Sequence, residues 1–152
     1  MTEPSNATGP DDPFDLDRFV QAQAGVYSEA LAELRAGHKR THWMWYIFPQ
    51  IDGLGYSWTS KHYAIKSEAE ARAYLDHAIL GSRLRECTQT VLDVEGRSAS
   101  DIFDPPDDLK LRSSMTLFAR VSNPDSVFAR VLAKYFHGRR DDKTLAIMDR
   151  LR

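Results

Sequence analysis

The amino-acid sequence predicts an all-α protein, a compact multihelical single domain. Apolar residues recur at intervals of three and four over most of the chain, which is the spacing of one face of a helix. Capping residues stand where these stretches begin, and glycines or prolines stand where they end. No segment keeps the two-residue alternation and hairpin turns of paired strands. Together these observations favour packed helices over a sheet.

Length and composition indicate one domain behind a polar leader. The chain has 152 residues, of which 42% are hydrophobic, and this is enough apolar side chain for an independent core. Its start, MTEPSNATGPDDP, is rich in Pro, Gly, Asn, Ser and Asp and offers almost nothing to bury. We therefore predict a disordered leader over residues 1–13 and a single helical domain over residues 14–152.

Charge and cysteine content limit the partners and the compartment. Twenty basic and twenty-two acidic residues give a formal net charge of −2, so no broad positive field is expected to attract duplex nucleic acid or a membrane. Cys87 is the single cysteine, which forbids an internal disulfide, and the start lacks the order of a secretory signal. No apolar run reaches the roughly 20 residues of a membrane helix. We expect a soluble, cytoplasmic protein, and the sequence leaves its oligomeric state open.

The helices of the first half follow from their caps and breakers. A first helix is expected to have Asp15 as its cap and to run to Gly37. About two helical turns with Thr41 as their cap then end at the following proline. Ser67 and Glu70 form the S-x-x-E capping box of the next helix.

Five further helical segments are predicted in the second half of the chain. Apolar spacing predicts one helix over residues 80–94 and a single turn over residues 98–103. Each of the other three begins with a capping residue, namely Asp107, Asn123 or Asp141. In the helix capped by Asn123, Pro124 occupies the first helical position.

The segment RTHWMWYIFPQ, from Arg40 to Gln50, is dense in large side chains. One interpretation is a short helix buried in the centre of the domain, with its Trp and His nitrogens bonded to carbonyl groups. The other is a pocket for a flat ligand, in which Trp45 or Tyr46 stacks on a ring and His42 or Gln50 binds the ring's edge. A core built only for packing would use Leu, Ile and Val, which need no polar partner, and this favours the pocket in part.

A second group of candidate residues lies in the first turns of the helix that opens at Asp107. It contains two cations and two hydroxyls: Lys110, Arg112, Ser113 and Ser114. Near the positive end of the helix dipole these side chains would suit an anion. The alternative is a solvated basic face whose hydroxyls bond their own backbone. Cations in the opening turns oppose the dipole, so a ligand or an acidic side chain, Asp107 or Asp108, should compensate them.

A third, weaker group consists of Lys61, His62 and Tyr63, of which Lys61 and Tyr63 are taken as candidate ligand contacts. The histidines lack the spacing of a metal site, so no metal is predicted. Glycine-rich nucleotide loops and the G-x-S-x-G elbow are absent, and no cofactor is predicted. Cys87 lies on an apolar helical stripe, which indicates a core residue rather than a nucleophile.

The run HWMWYIFPQ, followed by GLG, resembles the signature of a bacterial family catalogued as domain of unknown function 1810, some of whose members carry the label calpastatin. The stretches DPFDLDRFVQAQ, EARAYL, LGSRLREC and KLRSSMTLF agree with the pattern of that family. The likeness runs from about Asp12 to Leu145, and two such unusual motifs in the right order make it specific. It implies a compact multihelical domain and no established activity.

The stretch DDLKLRSSMTLFARVSNPDSVFARVLAKYFHG is also similar to the closing half of the NADAR group, small helical domains linked to NAD and ADP-ribose metabolism that cleave N-glycosidic bonds. This likeness implies that the aromatic segment stacks a base and that the Lys110 and Arg112 end of the helix holds phosphate. A carboxylate would serve as general acid or base, with Asp107 and Asp108 as candidates and Asp108 as our choice. The alternatives are a non-catalytic module for a nucleotide-like ligand or a protein, or a structural protein with an interior aromatic block.

Overall fold

The computed structural model describes residues 11–151, and the first ten residues of the predicted leader lie outside this range. The described residues form ten α-helices: α1 Asp17–Gln23, α2 Tyr27–Arg35, α3 Met44–Ile47, α4 Trp58–His62, α5 Glu68–Asp76, α6 Leu80–Asp93, α7 Ala99–Phe103, α8 Asp107–Arg120, α9 Val127–Phe136 and α10 Asp142–Arg150. Their β-pairing is limited to one isolated parallel bridge between Ile51 and Ile65. The all-α fold class is confirmed.

The eighth helix forms the centre of the domain. All its residues from Ser113 to Ala119 are buried, and it packs against α7, α9 and α10. α6 packs against α2, α5 and α9. The ring of Phe118 on α8 lies 5.5 Å from that of Tyr74 on α5 and 5.8 Å from that of Phe128 on α9. None of the helices in residues 11–151 has the length and apolar character needed to cross a membrane.

The predicted first helix is two helices, because Gly25 interrupts it. Gly25 has a φ of +82°, a left-handed conformation that ends α1 and turns the chain into α2. The cap prediction was also wrong, since Asp12 caps α1 and Asp15 does not. The carboxylate of Asp12 accepts hydrogen bonds from the backbone N–H groups of Leu16 (2.8 Å) and Asp17 (3.0 Å). Asp12 therefore belongs structurally to the helical domain, although it lies within the predicted leader.

Two further helix starts differ from prediction. α3 is a single turn that begins after Trp43, and Thr41 does not cap it because its hydroxyl bonds to Glu33 instead. α9 begins at Val127, after the Asn-Pro pair, because the hydroxyl of Ser126 accepts a bond from the N–H of Ala129. The start of α9 is thus set by a capping side chain after the predicted one, whereas α3 begins without a side-chain cap.

Other helix starts agree with the sequence. The hydroxyl of Ser67 accepts the N–H of Glu70, and the carboxylate of Asp141 accepts the N–H of Thr144. The second half of the predicted capping box is displaced by one residue, since the Glu70 carboxylate accepts the N–H of Lys66 and not that of Ser67.

Candidate functional site

The aromatic segment divides between the core and the surface. Trp43 is only 1% exposed and Phe48 is fully buried, with their rings 6.1 Å apart. Trp45 and Tyr46 are half-buried, and His42 is exposed. The short length of α3 causes this division, because a single turn directs adjacent side chains to different sides.

Glu33 of α2 fixes the start of this segment. Its Oε1 accepts hydrogen bonds from the backbone N–H groups of Arg40 (2.7 Å) and Thr41 (3.0 Å) and from Nε1 of Trp43 (2.9 Å), and its Oε2 accepts the Thr41 hydroxyl (2.6 Å). Burial raises the pKa of Glu33, but these hydrogen bonds outweigh burial and lower that pKa to about 2. Glu33 was not a candidate from the sequence, since no local pattern marks a residue that bonds to the chain seven to ten positions later.

The two main motifs meet at a cluster formed by Trp45, Asp107 and Lys110, which we call the motif junction. Nζ of Lys110 lies 4.7 Å from the centre of the Trp45 ring and 3.1 Å from Oδ1 of Asp107. Oδ2 of the same aspartate lies 2.9 Å from Nζ of Lys39, whose side chain is only 7% exposed. The ammonium of Lys39 in turn lies 5.1 Å from the centre of the Trp43 ring. Lys39 was not a candidate from the sequence.

At the motif junction, Asp107 is shared by Lys110 and the neighbouring Lys39. Burial raises the pKa of Asp107, but the hydrogen bonds and charges of Lys39 and Lys110 outweigh burial and hold that pKa below its usual range. Asp107 is therefore a carboxylate at neutral pH, and it is shared between two ammonium groups. The Lys110 ammonium, which shares this carboxylate with Lys39, is the one beside the aromatic ring of Trp45.

The four candidate side chains of α8 do not converge on one point. Ser113 lies within hydrogen-bond distance of the Leu109 carbonyl oxygen (3.2 Å) and of Oδ2 of Asp141 (3.1 Å). Arg112 approaches Asp141 as well, at 3.7 Å from Nη2 to Oδ1. Lys110 and Ser114 lie one helical turn apart on the face toward the aromatic segment. The helix thus divides these residues between α10 and the motif junction.

Several polar atoms of both motifs are buried without a partner. They are Nε2 of Gln50, Oδ1 of Asp108, Nε of Arg112 and Oγ of Ser114. The other oxygen of Asp108 accepts a hydrogen bond from the Ser100 hydroxyl at 3.1 Å. Among the described residues, one further side-chain atom shares this condition, Oδ1 of Asp15. Native proteins leave few such atoms unpaired, so each of them needs an explanation.

Tyr63 and Lys61 lie at the end of α4. The ring of Tyr63 packs edge-on against that of Tyr46 at 4.9 Å, which joins the third candidate group to the aromatic segment. Burial raises the pKa of Tyr63, so its phenol stays protonated at neutral pH. Lys61 is exposed. Within residues 11–151 no group of three His, Cys, Asp or Glu side chains could hold a metal ion.

Comparisons with known proteins agree with this fold. The model of a family described as a protein of unknown function (DUF1810) matches residues 13–148. The crystal structure of the conserved hypothetical protein Rv1873 from Mycobacterium tuberculosis is similar, with a TM-score of 0.89 and 56% sequence identity. That similarity covers 91% of this chain and 99% of the mycobacterial one. No curated protein matches the chain.

Proposed function

Because this chain belongs to the DUF1810 family of proteins of unknown function, we propose its function from the geometry: it binds a nucleotide or ADP-ribose-like ligand at the motif junction. The position of the Lys110 ammonium over the Trp45 ring carries this proposal. An aromatic surface beside two ammonium groups that share one carboxylate suits a ligand that combines a flat ring with phosphate. Duplex nucleic acid would need a much broader positive surface.

The unpaired polar atoms support a ligand rich in hydrogen-bond acceptors. Nε2 of Gln50 can only donate, and the hydroxyl of Ser114 can also donate. Leaving a buried polar group unpaired costs about 1–3 kcal/mol. Phosphate and ribose oxygens would satisfy such donors, and part of that cost would return as binding free energy.

The first test is a thermal-shift measurement with NAD, ADP-ribose, nucleotides and pyrimidine ribosides. A ligand that binds only the folded state must raise the melting temperature. We expect a rise with one of these classes and a much smaller rise in Lys110→Met, which keeps the aliphatic stem over Trp45 and removes the charge. An unchanged melting temperature across the whole set would contradict the proposal.

The adjacent serines of α8 provide a matched pair of variants. Ser114→Ala removes a buried hydroxyl without a partner, so it should leave the ligand-free melting temperature equal or higher while reducing the ligand shift. Ser113→Ala removes a bonded hydroxyl, so it should lower the stability by about 1 kcal/mol and keep the ligand shift. Equal ligand shifts in the two variants would exclude Ser114 from the site.

Cleavage of an N-glycosidic bond in such a ligand is the second candidate function, with Asp108 as the general acid or base. The observation that favours it is the Oδ1 of Asp108, which is buried without a hydrogen-bond partner among the described residues. Asp108→Asn should abolish release of the base, as measured by chromatography, and preserve the thermal shift. Turnover that survives this substitution would remove Asp108 from the mechanism. A thermal shift without turnover in the wild-type protein would favour the non-catalytic module.

A further inference from the structure

A cavity of about 450 Å³ lies beside α4, on the opposite side of this helix from Trp45. Trp58 and His62, one turn apart, line the cavity, whereas Ser60 between them is buried beside Gly55 and the Trp45 ring. We propose that this cavity is a second binding site, for a guanine-like base that carries a phosphate group. The proposal is independent of the function assigned to the motif junction.

A stacked pair of rings forms one wall of the cavity. Trp58 is 71% exposed, yet its ring lies parallel to that of His62, with 4.5 Å between ring centres and 10° between planes. His62 is held from behind by an edge-on contact with Tyr63 at 4.7 Å. The accessible face of Trp58 is therefore supported for stacking on another flat ring, an interaction worth about 1–3 kcal/mol per nucleic-acid base.

Arg18 holds the walls of the cavity in place. Its side chain is 9% exposed and donates hydrogen bonds to the carbonyl oxygens of Asp15 (2.8 Å) and His62 (2.8 Å). The same guanidinium forms an ion pair at 2.7 Å with Glu70, whose side chain is 2% exposed. Because one buried cation joins the wall at Asp15 to the wall at His62, the site is organised before a ligand arrives.

Asp15 supplies the chemical specificity. It lines the cavity, and its Oδ1 is buried without a hydrogen-bond partner among the described residues. A carboxylate can only accept hydrogen bonds, so the missing partner must bring N–H or O–H groups. The edge of guanine presents a ring N–H next to an amino group, and both can bond to one carboxylate. Adenine presents an acceptor nitrogen at the corresponding ring position. This nitrogen would repel the carboxylate of Asp15.

The charges of the cavity distinguish a nucleotide from an arginine side chain, which could also stack on Trp58 and pair with Asp15. Three cations and two carboxylates line the cavity: Arg18, Lys61, Lys66, Asp15 and Glu70. Arg18 pairs with Glu70 inside the lining, and Lys66 lies 3.8 Å from Asp52 outside it. A guest therefore meets Asp15 and Lys61, and a cationic guest would be repelled by Lys61. Lys61 forms no ion pair within residues 11–151 and is exposed at the cavity, where it can meet a phosphate.

Asp15→Asn is the decisive variant, measured by calorimetric titration with guanosine and adenosine 5′-monophosphates. Asp15 has a φ of +54°, and asparagine tolerates this left-handed conformation, so the variant should fold. We expect the wild-type protein to prefer the guanine nucleotide. The Kd for that nucleotide should rise about tenfold or more in Asp15→Asn, because the paired contact to the base edge is lost.

Two further variants separate the two sites. Trp58→Ala should abolish the preference for the guanine nucleotide over the adenine nucleotide. Lys110→Met should keep this preference, because that lysine lies at the motif junction and not at the cavity. The proposal is overturned by equal affinity for the two nucleotides, by an unchanged Kd in Asp15→Asn, or by the absence of guanine nucleotide binding. Preferential binding of N-acetylarginine amide would also overturn it.

Discussion

The carboxylate of Glu33 accepts four hydrogen bonds from the start of the aromatic segment. Two backbone N–H groups, one hydroxyl and one indole N–H converge on this side chain of α2. Hydrogen bonds to a charged acceptor are stronger than neutral ones. At the residue scale, Glu33 therefore determines how Trp43 enters the core and, through the chain, where Trp45 lies.

Replacing Glu33 with Gln should lower the free energy of unfolding by about 2 kcal/mol at pH 7, because the bonds lose their charged acceptor. The pKa of Glu33 is about 2 in the folded state and roughly 4.3 in the unfolded state. The stability contributed by the Glu33 carboxylate is therefore fully present above about pH 4.3 and is lost as the pH falls toward 2. The difference between wild type and variant should therefore shrink between pH 5 and pH 2 in urea unfolding.

Glu29 offers a control for that experiment, since it is an exposed carboxylate on the same helix and contacts only the Thr41 hydroxyl, at 3.0 Å. Glu29→Gln should change the unfolding free energy by no more than about 0.5 kcal/mol at any of these pH values. Equal losses in the two variants would show that the effect comes from the charge of α2 in general and not from the bonds to the aromatic segment.

At the scale of elements, the contact between α5 and α6 depends on a glycine that has no room for a side chain. A Cβ atom placed on Gly81 would lie 2.1 Å from the carbonyl oxygen of Leu75 at the end of α5. The backbone of Gly81 is not in the left-handed region, so close approach and not conformation explains this glycine. Nη1 of Arg85 donates to the same carbonyl oxygen at 3.1 Å, which further restricts movement of α5.

Gly81→Ala should lower the free energy of unfolding by about 1–3 kcal/mol, although alanine is the better helix former by roughly 1 kcal/mol. The clash with backbone forces α5 and α6 apart, and this should outweigh the gain in helix propensity. Chemical denaturation would measure the change, with Ser82→Ala at the exposed neighbouring position as the control. A more stable Gly81→Ala variant would mean that α5 moves away at little cost.

The elements themselves were largely predictable, because caps and apolar stripes act over a few residues. Ser67 and Asp141 cap their helices as their sequence positions predict. The failures have the same physical origin in each case. Gly25, Asp12 and Ser126 each offered a local alternative that fitted the sequence pattern equally well, and the pattern alone does not choose between such alternatives.

At the scale of the whole molecule, the central helix α8 brings the two motifs together. Its first turn carries Asp107 and Lys110 to Lys39 and Trp45, while the opposite contacts of Arg112 and Ser113 attach α10. The candidate residues of α8 therefore form two groups. Lys110 and Ser114 face the candidate ligand site, and Arg112 and Ser113 hold α10. The candidate site at the motif junction depends on this division.

The sequence by itself determined the all-α fold class and family membership, because helical periodicity, caps and motif order are written in neighbouring residues. Only the tertiary structure decided that Lys110 lies over Trp45, that Glu33 anchors Trp43 and that Arg18 joins Asp15 to His62. Apart from the local bond of Arg18 to Asp15, these contacts join segments that are distant in the sequence, and their distances depend on how the helices pack. No local pattern encodes that packing, since it results from the shapes of all the buried side chains together.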